Sequence, residues 1–536
     1  MNTPTLLDCT LRDGGYYNAW DFPAEVIDNY LQSMRAVGVD VVELGFRFLK
    51  NSGFKGACGF TKDEFLRNLS IPEGLTVSVM VNAADLCTEI GWEEAVVSLF
   101  PCAAADTPLD IVRIACHFEE LPSAVAAASW LSEKGYIVGL NLMQIADRSK
   151  EEIMSLTSLV SGVPIKVLYI GDSMGSMTPD LTAKVIEWIR EGWRGPIGIH
   201  THDNMGMALA NTMRAWSEGA QWLDSTITGM GRGPGNAKTE ELIIELACTR
   251  SKTPNMVPLM SLIRQYFQPM KNECGWGTNP YYYLAGKYGI HPTYIQEMLG
   301  DARYKEEDIF AVIDRLRVQG GKKFSFNNLD GARDFYHGIP RGTWVPSTHM
   351  VGQEVLILGA GEGVAAHRAA VEAYIRRTRP IVLALNTQVS IEQSLINLRI
   401  ACHPVRLLAD AKTHLGLPQP LITPLSMLPA TLQKELSGKQ ILDFGLSISR
   451  GMFAFHGSYC IAPNALVLAY ALAVVESGGA KRILLAGFDG YPAGDMRNHE
   501  VESVLYAFNA ASPSSRIVSI TPTIYKDLCV ESVYGA

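Results

Sequence analysis

The chain has 536 residues, 47% hydrophobic and 19% charged, with a formal net charge of −9, which is the composition of a globular protein of two or three domains and not of a disordered chain. The acidic balance and the lack of a long basic run argue against nucleic acid or an anionic membrane as the main partner. Ten cysteines are scattered without CxxC spacing, so neither a structural zinc nor a disulfide framework is expected. The opening MNTPTLLDCT lacks a basic n-region and a long apolar stretch, and no run is long enough to span a bilayer, so a cytoplasmic protein is expected.

The first apolar run, residues 6–11, predicts a strand that Arg12-Asp13-Gly14-Gly15 breaks. AEVIDNYLQSMRAVG then carries a helical pattern. Further short apolar runs follow at VDVVELGF, LTVSVMV, LDIVRIAC, YIVGLNLM, KVLYIGDS, PIGIHTHD and WLDSTI, mostly separated by polar or glycine-containing loops and helical stretches. Continuous apolar strands alternating with helices predict a parallel sheet buried on both faces. Eight such units in the first ~250 residues match a (β/α)8 TIM barrel. A doubly wound sheet is the alternative; polar residues recurring at the C-terminal strand ends favour the barrel, because barrels build active sites there.

From about residue 255 to 340 the pattern turns helical, in PLMSLIRQYFQPM, in part of the aromatic NPYYYLAGKYGIHPTYIQEML, and in EEDIFAVIDRLRVQ. FNNLDGARDFYHGIPRGTWVPSTHM is turn-rich and predicts a connector. GQEVLILGAGEG opens a second series of strand-like runs, PIVLALN, LRIACH, PLITPL, ILDFGLSI, KRILLAGFDGY and RIVSITPT. The expected organisation is a barrel over 1–285, a helical appendage and connector over 286–345, and a Rossmann-like α/β domain over 346–536.

The densest chemistry lies in IGIHTHDNMG, residues 197–206. His200 and His202 stand two apart on a strand and project from one face. There two imidazoles can share a divalent cation, or form a pair of satisfied polar histidines. Asp13, at the end of the first strand, can add a carboxylate. TGMGRGPGNAKTEELI, residues 228–243, has Gly229, Gly231, Gly233 and Gly235 for a tight loop near a ligand. Asn236 offers a neutral oxygen ligand, and Thr239 and Glu240 suit the first turn of a helix.

DCTLRDGG, YIGDSMGSMTP, HTHDNMGMALANT and GMGRGPGNAKTEEL occur in the order found in the DRE-TIM metallolyases, which include 2-isopropylmalate synthase, HMG-CoA lyase and 4-hydroxy-2-oxovalerate aldolase. The chain resembles that family over roughly residues 4–290. The resemblance implies a barrel with a divalent metal (Mn, Mg or Zn) at its C-terminal mouth. Residue by residue, Asp13, His200 and His202 resemble the metal ligands, Asn236 a fourth ligand as in the lyase branch, and Arg12 the arginine that stabilises an enolate oxygen. Ser173 resembles the residue that binds the pyruvate carboxylate in aldolases, with Asp172 orienting the site.

Two positions depart from the family. Tyr16 stands where the aldolases have a histidine base, and residues 229–235 lack the cysteine of HMG-CoA lyases. The base is therefore sought among Tyr16, Tyr17, water on the metal, and Glu43 of VVELGF, whose alternative is a salt bridge with Arg47. Tyr281, Tyr282, Tyr283 and Tyr288 lie where aldolase relatives have a proton-handling tyrosine; an aromatic packing surface is the favoured alternative. The implied activity is a metal-dependent aldolase acting through a pyruvate-type enolate, with a 2-oxo acid and an aldehyde, sugar-derived aldehydes included, as small-molecule partners and a homo-oligomeric assembly. The rival readings are an acyl-CoA-dependent Claisen synthase of the isopropylmalate type and a non-catalytic scaffold.

In the second domain VLILGAGEG places a glycine-rich turn after a strand, as in phosphate-binding units, but Val364 stands where a full GxGxxG would close. Asp489 ends the strand of GAKRILLAGFDGY. Together they weakly resemble MptE-like and sialyltransferase-like domains. The backbone donors of the strand-turn-helix over 356–366 lead to the expectation of a nucleotide or sugar phosphate as ligand, with a docking or oligomerisation domain lacking a small-molecule site as the alternative. His403, Arg406, His456 and Ser458 are further polar residues near strand or loop ends.

Overall fold

The computed structural model describes residues 3–51, 53–250, 253–300, 306–319, 336, 339–428, 430–492, 495–513 and 517–535. The chain divides into two compact units, Met1–Arg303 with Leu316–Ser325, and Tyr304–Arg315 with Phe326–Ala536. The first part of the expected connector, residues 326–335, lies outside the described residues.

In the first unit, β1 (Thr5–Asp8), β2 (Val41–Phe46), β3 (Thr76–Asn82), β4 (Ile111–Cys116), β5 (Ile137–Leu142), β6 (Val167–Gly171), β7 (Ile197–His200) and β8 (Trp222–Ser225) form a closed parallel barrel. It closes where β8 pairs with β1, Thr5 opposite Trp222 and Asp8 opposite Ser225. The (β/α)8 expectation is met, and the register explains why polar residues gather at one end. Leu7, Val41, Ile111, Val167, Tyr169 and Trp222 form an apolar cluster. With a side-chain period of two, the same inward face carries Glu43 after Val41, Arg113 after Ile111, and Asp224 after Trp222. Its lower layers are apolar and its upper layer is charged.

One boundary differs from the sequence expectation. The first strand stops at Asp8, and Thr10–Asn18 form a helix, α1, that carries Arg12 and Asp13. Asp8 Oδ1 accepts the Thr10 N–H at 2.9 Å and turns the chain. Gly14 and Gly15, which read locally as a break, lie inside this helix at a cost of about 1 kcal/mol each in propensity. Their small size is required: a Cβ on Gly14 would stand 2.4 Å from Met230 Sδ, and one on Gly15 2.0 Å from the Trp20 ring. The predicted helix after it is α2 (Ala24–Val37), closed by Gly38 in the left-handed region.

After the barrel come helices at Val257–Leu262 and Gln268–Cys274, joined by a π turn, then Pro280–Tyr288 and Pro292–Leu299. Asn279 caps the third by accepting the N–H groups of Tyr281 and Tyr282 at 3.0 and 2.9 Å. The proline at the first position suits a helix start.

The second unit has an eight-stranded parallel sheet. It comprises β9 (Glu354–Leu358), β10 (Ile381–Leu385), β11 (Leu398–Ile400), β12 (Leu421–Thr423), β13 (Ile441–Asp443), β17 (Arg482–Ala486), β18 (Ile517–Ser519) and β19 (Cys529–Val530), in the order β13-β12-β11-β10-β9-β17-β18-β19. A three-stranded sheet of β14 (Gly445–Ile448), β15 (Ala454–Phe455) and β16 (Tyr459–Ala462) accompanies it. The order reverses between β9 and β17, where the glycine turn and Asp489 meet. Gly363 N–H of that turn is given to Asp489 Oδ2 at 2.6 Å, and the following helix, Glu362–Ala366, is short. Arg406 pairs with Asp410 at 2.8 Å, and His456 stacks on Tyr459.

Candidate functional site

The end of β7 and the loop after β8 face each other through an isolated bridge between His202 and Asn236. Both lie near Asp13 on α1. The ligating atoms of Asp13, His200 and His202 lie within 4.8 Å of one another. His200 Nε2 is 3.5 Å from Asp13 Oδ2 while its Nδ1 is held by Asp224 Oδ2 at 3.1 Å. His202 Nδ1 is held by the main-chain oxygen of Asp172 at 2.7 Å. Each imidazole is thus fixed through Nδ1 and left with Nε2 for a ligand, an arrangement typical of histidines that bind metal.

Asn236 Nδ2 donates to Asp13 Oδ2 at 2.5 Å and to the Met230 carbonyl at 3.1 Å, while its Oδ1 is buried with no partner. This approach needs Gly231, where a Cβ would stand 2.4 Å from Asn236 Nδ2 and 3.3 Å from Asp13 Oδ2. Two imidazoles, a carboxylate and an orphaned amide oxygen fit a divalent cation of the Mn, Mg or Zn type.

The electrostatics follow from burial and neighbours. Burial would raise Asp13, but Arg12 and the two imidazoles hold its carboxyl well below the usual range. Burial would lower His200, but Asp13 and Asp224 raise it. Burial, reinforced by His200, brings His202 down to about 4, leaving it neutral. Cys9, 3.9 Å below His200 Nδ1, is pushed up to about 11 by burial and is a quiet thiol.

Arg12 donates from Nη1 to Asp13 Oδ1 at 2.6 Å and from Nε to Glu43 Oε2 at 2.8 Å. The expected alternative partner of Glu43, Arg47, pairs instead with Asp63 at 2.6 Å. Glu43 also meets Arg113 Nε at 3.3 Å, and Arg113 Nη2 reaches Asp224 Oδ2 at 2.7 Å. A carboxylate between two guanidiniums orients both. Arg113 and Asp224 were not among the sequence candidates; the signal for each was a lone charge inside an apolar strand, LDIVRIAC and WLDSTI.

The other expected residues are placed as follows. Asp172 Oδ1 accepts the N–H groups of Ser176 and Met177 at 3.1 and 3.4 Å, its Oδ2 is buried without a partner, and burial raises its carboxyl to about 7. Ser173 Oγ accepts the Gln144 N–H at 3.2 Å. Tyr16 lies among Trp20 and Phe46 with the Arg232 guanidinium 4.7 Å over its ring. Tyr17 donates to the Gly231 carbonyl at 3.0 Å. Tyr282 is buried against Gly233 and Tyr283 is exposed, as a packing surface would have them.

The fold and the site together define a (β/α)8 barrel protein with a carboxylate–imidazole cluster at its C-terminal mouth. The HMGL-like family model matches residues 3–263. The 4-hydroxy-2-oxovalerate aldolase of Thermus thermophilus is 30% identical over 244 residues, 45% of this chain and 67% of that protein. The 4-hydroxy-2-oxovalerate aldolase of Pelotomaculum thermopropionicum is 28% identical over 245 residues, 45% of this chain and 69% of that protein. An oxaloacetate decarboxylase of Mycobacterium tuberculosis is 25% identical over 244 residues, 45% of this chain and 70% of that protein. The chain belongs to the HMGL-like family, and the resemblance seen in its four motifs is borne out at that level. Among the described residues no helix is long and apolar enough to cross a membrane.

Proposed function

We propose that the barrel is a divalent-metal-dependent aldolase that makes or breaks a carbon–carbon bond beside the carbonyl of a 2-oxo acid, pyruvate or a relative, with an aldehyde as partner. The observation that carries this reading is the meeting of Asp13, His200 and His202 beside the Arg12 guanidinium. The names of the relatives support it: cleaving a 4-hydroxy-2-oxo acid and decarboxylating oxaloacetate both leave an electron pair at C3 of a 2-oxo acid.

Asp13, His200 and His202, with Asn236 as fourth donor, would hold the cation, which when bound supplies Lewis acidity at the keto oxygen. Arg12, fixed by Glu43 and Asp13, stabilises the negative charge that develops on that oxygen; a preorganised charge in a buried site contributes several kcal/mol. Ser173 already accepts a main-chain N–H, so its own hydroxyl proton is free to donate to the substrate carboxylate. Asp172 holds His202 through its main-chain oxygen. Tyr16, on the same helix as Arg12 and Asp13, handles the proton at C3. In the synthetic direction C3 gives up a proton, its electron pair forms the bond to the aldehyde carbon, and the aldehyde oxygen takes a proton; cleavage is the reverse.

Exchange of the pyruvate methyl protons in deuterium oxide tests this. It should disappear on removal of divalent metal with EDTA and return with Mn or Mg; an unchanged rate in protein shown to be metal-free would refute the reading. Tyr16→Phe should slow exchange more than it weakens pyruvate binding, and unaffected exchange would place the base elsewhere.

A further inference from the structure

The glycine loop after β8 is pinned through its main chain. Tyr17 donates to the Gly231 carbonyl at 3.0 Å, Gly277 N–H to the Gly233 carbonyl at 3.0 Å, and Gly235 N–H to the Arg232 carbonyl at 3.2 Å. Arg232 is therefore held at the mouth, half-buried, with its guanidinium over the Tyr16 ring. Arg12 and Arg113, the other two barrel arginines of the site, are each paired with two carboxylates. Among the described residues Arg232 has no ion pair and its guanidinium donates no hydrogen bond. Its desolvation is offset only by the face of an aromatic ring, a weak partner for a charge.

Its surroundings are rich in donors. Burial, reinforced by the Arg232 guanidinium, brings His291 down to about 3. His291 Nδ1 accepts the Thr293 N–H at 3.3 Å, so the neutral ring carries its proton on Nε2. His117 likewise accepts a main-chain N–H, from Glu120, and keeps a donor on its other nitrogen when neutral.

We infer that Arg232 binds a second anionic group, a carboxylate or phosphate carried by the aldehyde partner, so that the reaction selects anionic aldehydes over neutral ones. The inference rests on the aldolase reading above and adds the class of acceptor. A planar guanidinium matches both oxyanions through paired N–H donors, and its position on the glycine loop separates it from Arg12, which is occupied by Glu43 and Asp13.

The test compares kcat/KM for aldol addition of pyruvate to glyoxylate and to glyceraldehyde 3-phosphate with that to the neutral acetaldehyde and glycolaldehyde. Wild type should prefer one or both anionic acceptors; which one tells carboxylate from phosphate. Arg232→Gln should lower the anionic-to-neutral ratio by roughly tenfold to a hundredfold, the effect of losing charge-assisted hydrogen bonds. Arg232→Lys should recover part of it, since charge is kept while the fork is lost. A wild-type ratio near one would overturn the inference even if the variants failed to fold, as would an equal fall for anionic and neutral acceptors in Arg232→Gln, which would place Arg232 on the pyruvate side. Pyruvate methyl-proton exchange in wild type separates the two levels: exchange without charge selectivity overturns only the acceptor assignment, and absence of exchange overturns the aldolase reading and the assignment with it.

Discussion

Replacing Arg113 by methionine probes what holds the upper layer of the barrel. The Arg113 side chain is 0% exposed; it meets Asp224 at 2.7 Å and Glu43 at 3.3 Å, donates to Asn141 Oδ1 at 3.3 Å and lies 4.1 Å over the Tyr169 ring. Methionine fills much of the volume, so the cavity contribution is small. The cost lies in two carboxylates that lose a counter-charge. Breaking a buried pair costs roughly 3–5 kcal/mol; because Glu43 keeps Arg12 and Asp224 keeps His200, the lower end, about 3 kcal/mol, is expected. At roughly 2 °C per kcal/mol for a large domain, the barrel transition should fall by roughly 6 °C in calorimetry. Arg113→Met combined with Asp224→Asn should cost less than the two single changes added, by about 1 kcal/mol or more, since contacting residues couple. A single-variant loss under about 1 kcal/mol, or strict additivity, would refute the reasoning and make Arg113 a space-filler.

Asp224→Asn removes the carboxylate that fixes His200 through Nδ1, and should weaken metal binding about 10- to 100-fold, as such supporting partners do; chelator competition measures it, and unchanged affinity would show that Asp224 serves Arg113 alone. Asp63 accepts from Arg47 Nη2 and the Thr107 hydroxyl, each at 2.6 Å; burial would raise its carboxyl, but these partners lower it. Its contribution to stability is therefore present above the unfolded carboxyl value of about 4 and lost as pH falls through the lower folded value. Asp63→Asn should cost about 3 kcal/mol at neutral pH and progressively less in acid; thermal unfolding of both proteins at pH 7 and in acid tests this, and a deficit independent of pH would contradict it.

The barrel strands were legible because a strand buried on both faces is mostly apolar, and each of the eight lies in such a run, interrupted in β2, β4 and β8 by a single inward charge. The end of β1 was not. LLDCTL is apolar past Asp8, and two glycines after Arg12-Asp13 satisfy every local criterion for a break. What makes that stretch helical is tertiary: Met230 and Trp20 need the space over Gly14 and Gly15. The cation-binding candidates were legible because their residue types are rare together and their spacing is fixed by the strand. Glu43 was legible as an inward carboxylate but not its partners, because Arg113 lies two strands away in the barrel. Asp489 was legible as a polar group after a strand but not its bond to the Gly363 N–H, a contact across 126 residues that local pattern cannot show.

Followed around the mouth, three carboxylates alternate with two guanidiniums and an imidazole in a closed ring. Asp13 meets Arg12 at 2.6 Å, Arg12 meets Glu43 at 2.8 Å, and Glu43 meets Arg113 at 3.3 Å. Arg113 meets Asp224 at 2.7 Å, Asp224 meets His200 at 3.1 Å, and His200 returns to Asp13 at 3.5 Å. Its members come from α1, β2, β4, β8 and β7, so elements far apart in sequence fix one another. Of its six contacts the return from His200 to Asp13 is the longest, and it lies between the two ring members that a cation would join. Isolated buried charges would cost several kcal/mol each; in a closed ring each has two polar partners, and neither Arg12 nor His200 can swing away without leaving a carboxylate behind. The adjacency of Arg12 and Asp13 follows from this. One turn of helix places the carboxylate proposed to bind the cation and the guanidinium proposed to stabilise charge at consecutive positions, and the rest of the barrel supplies the partners that keep both in place.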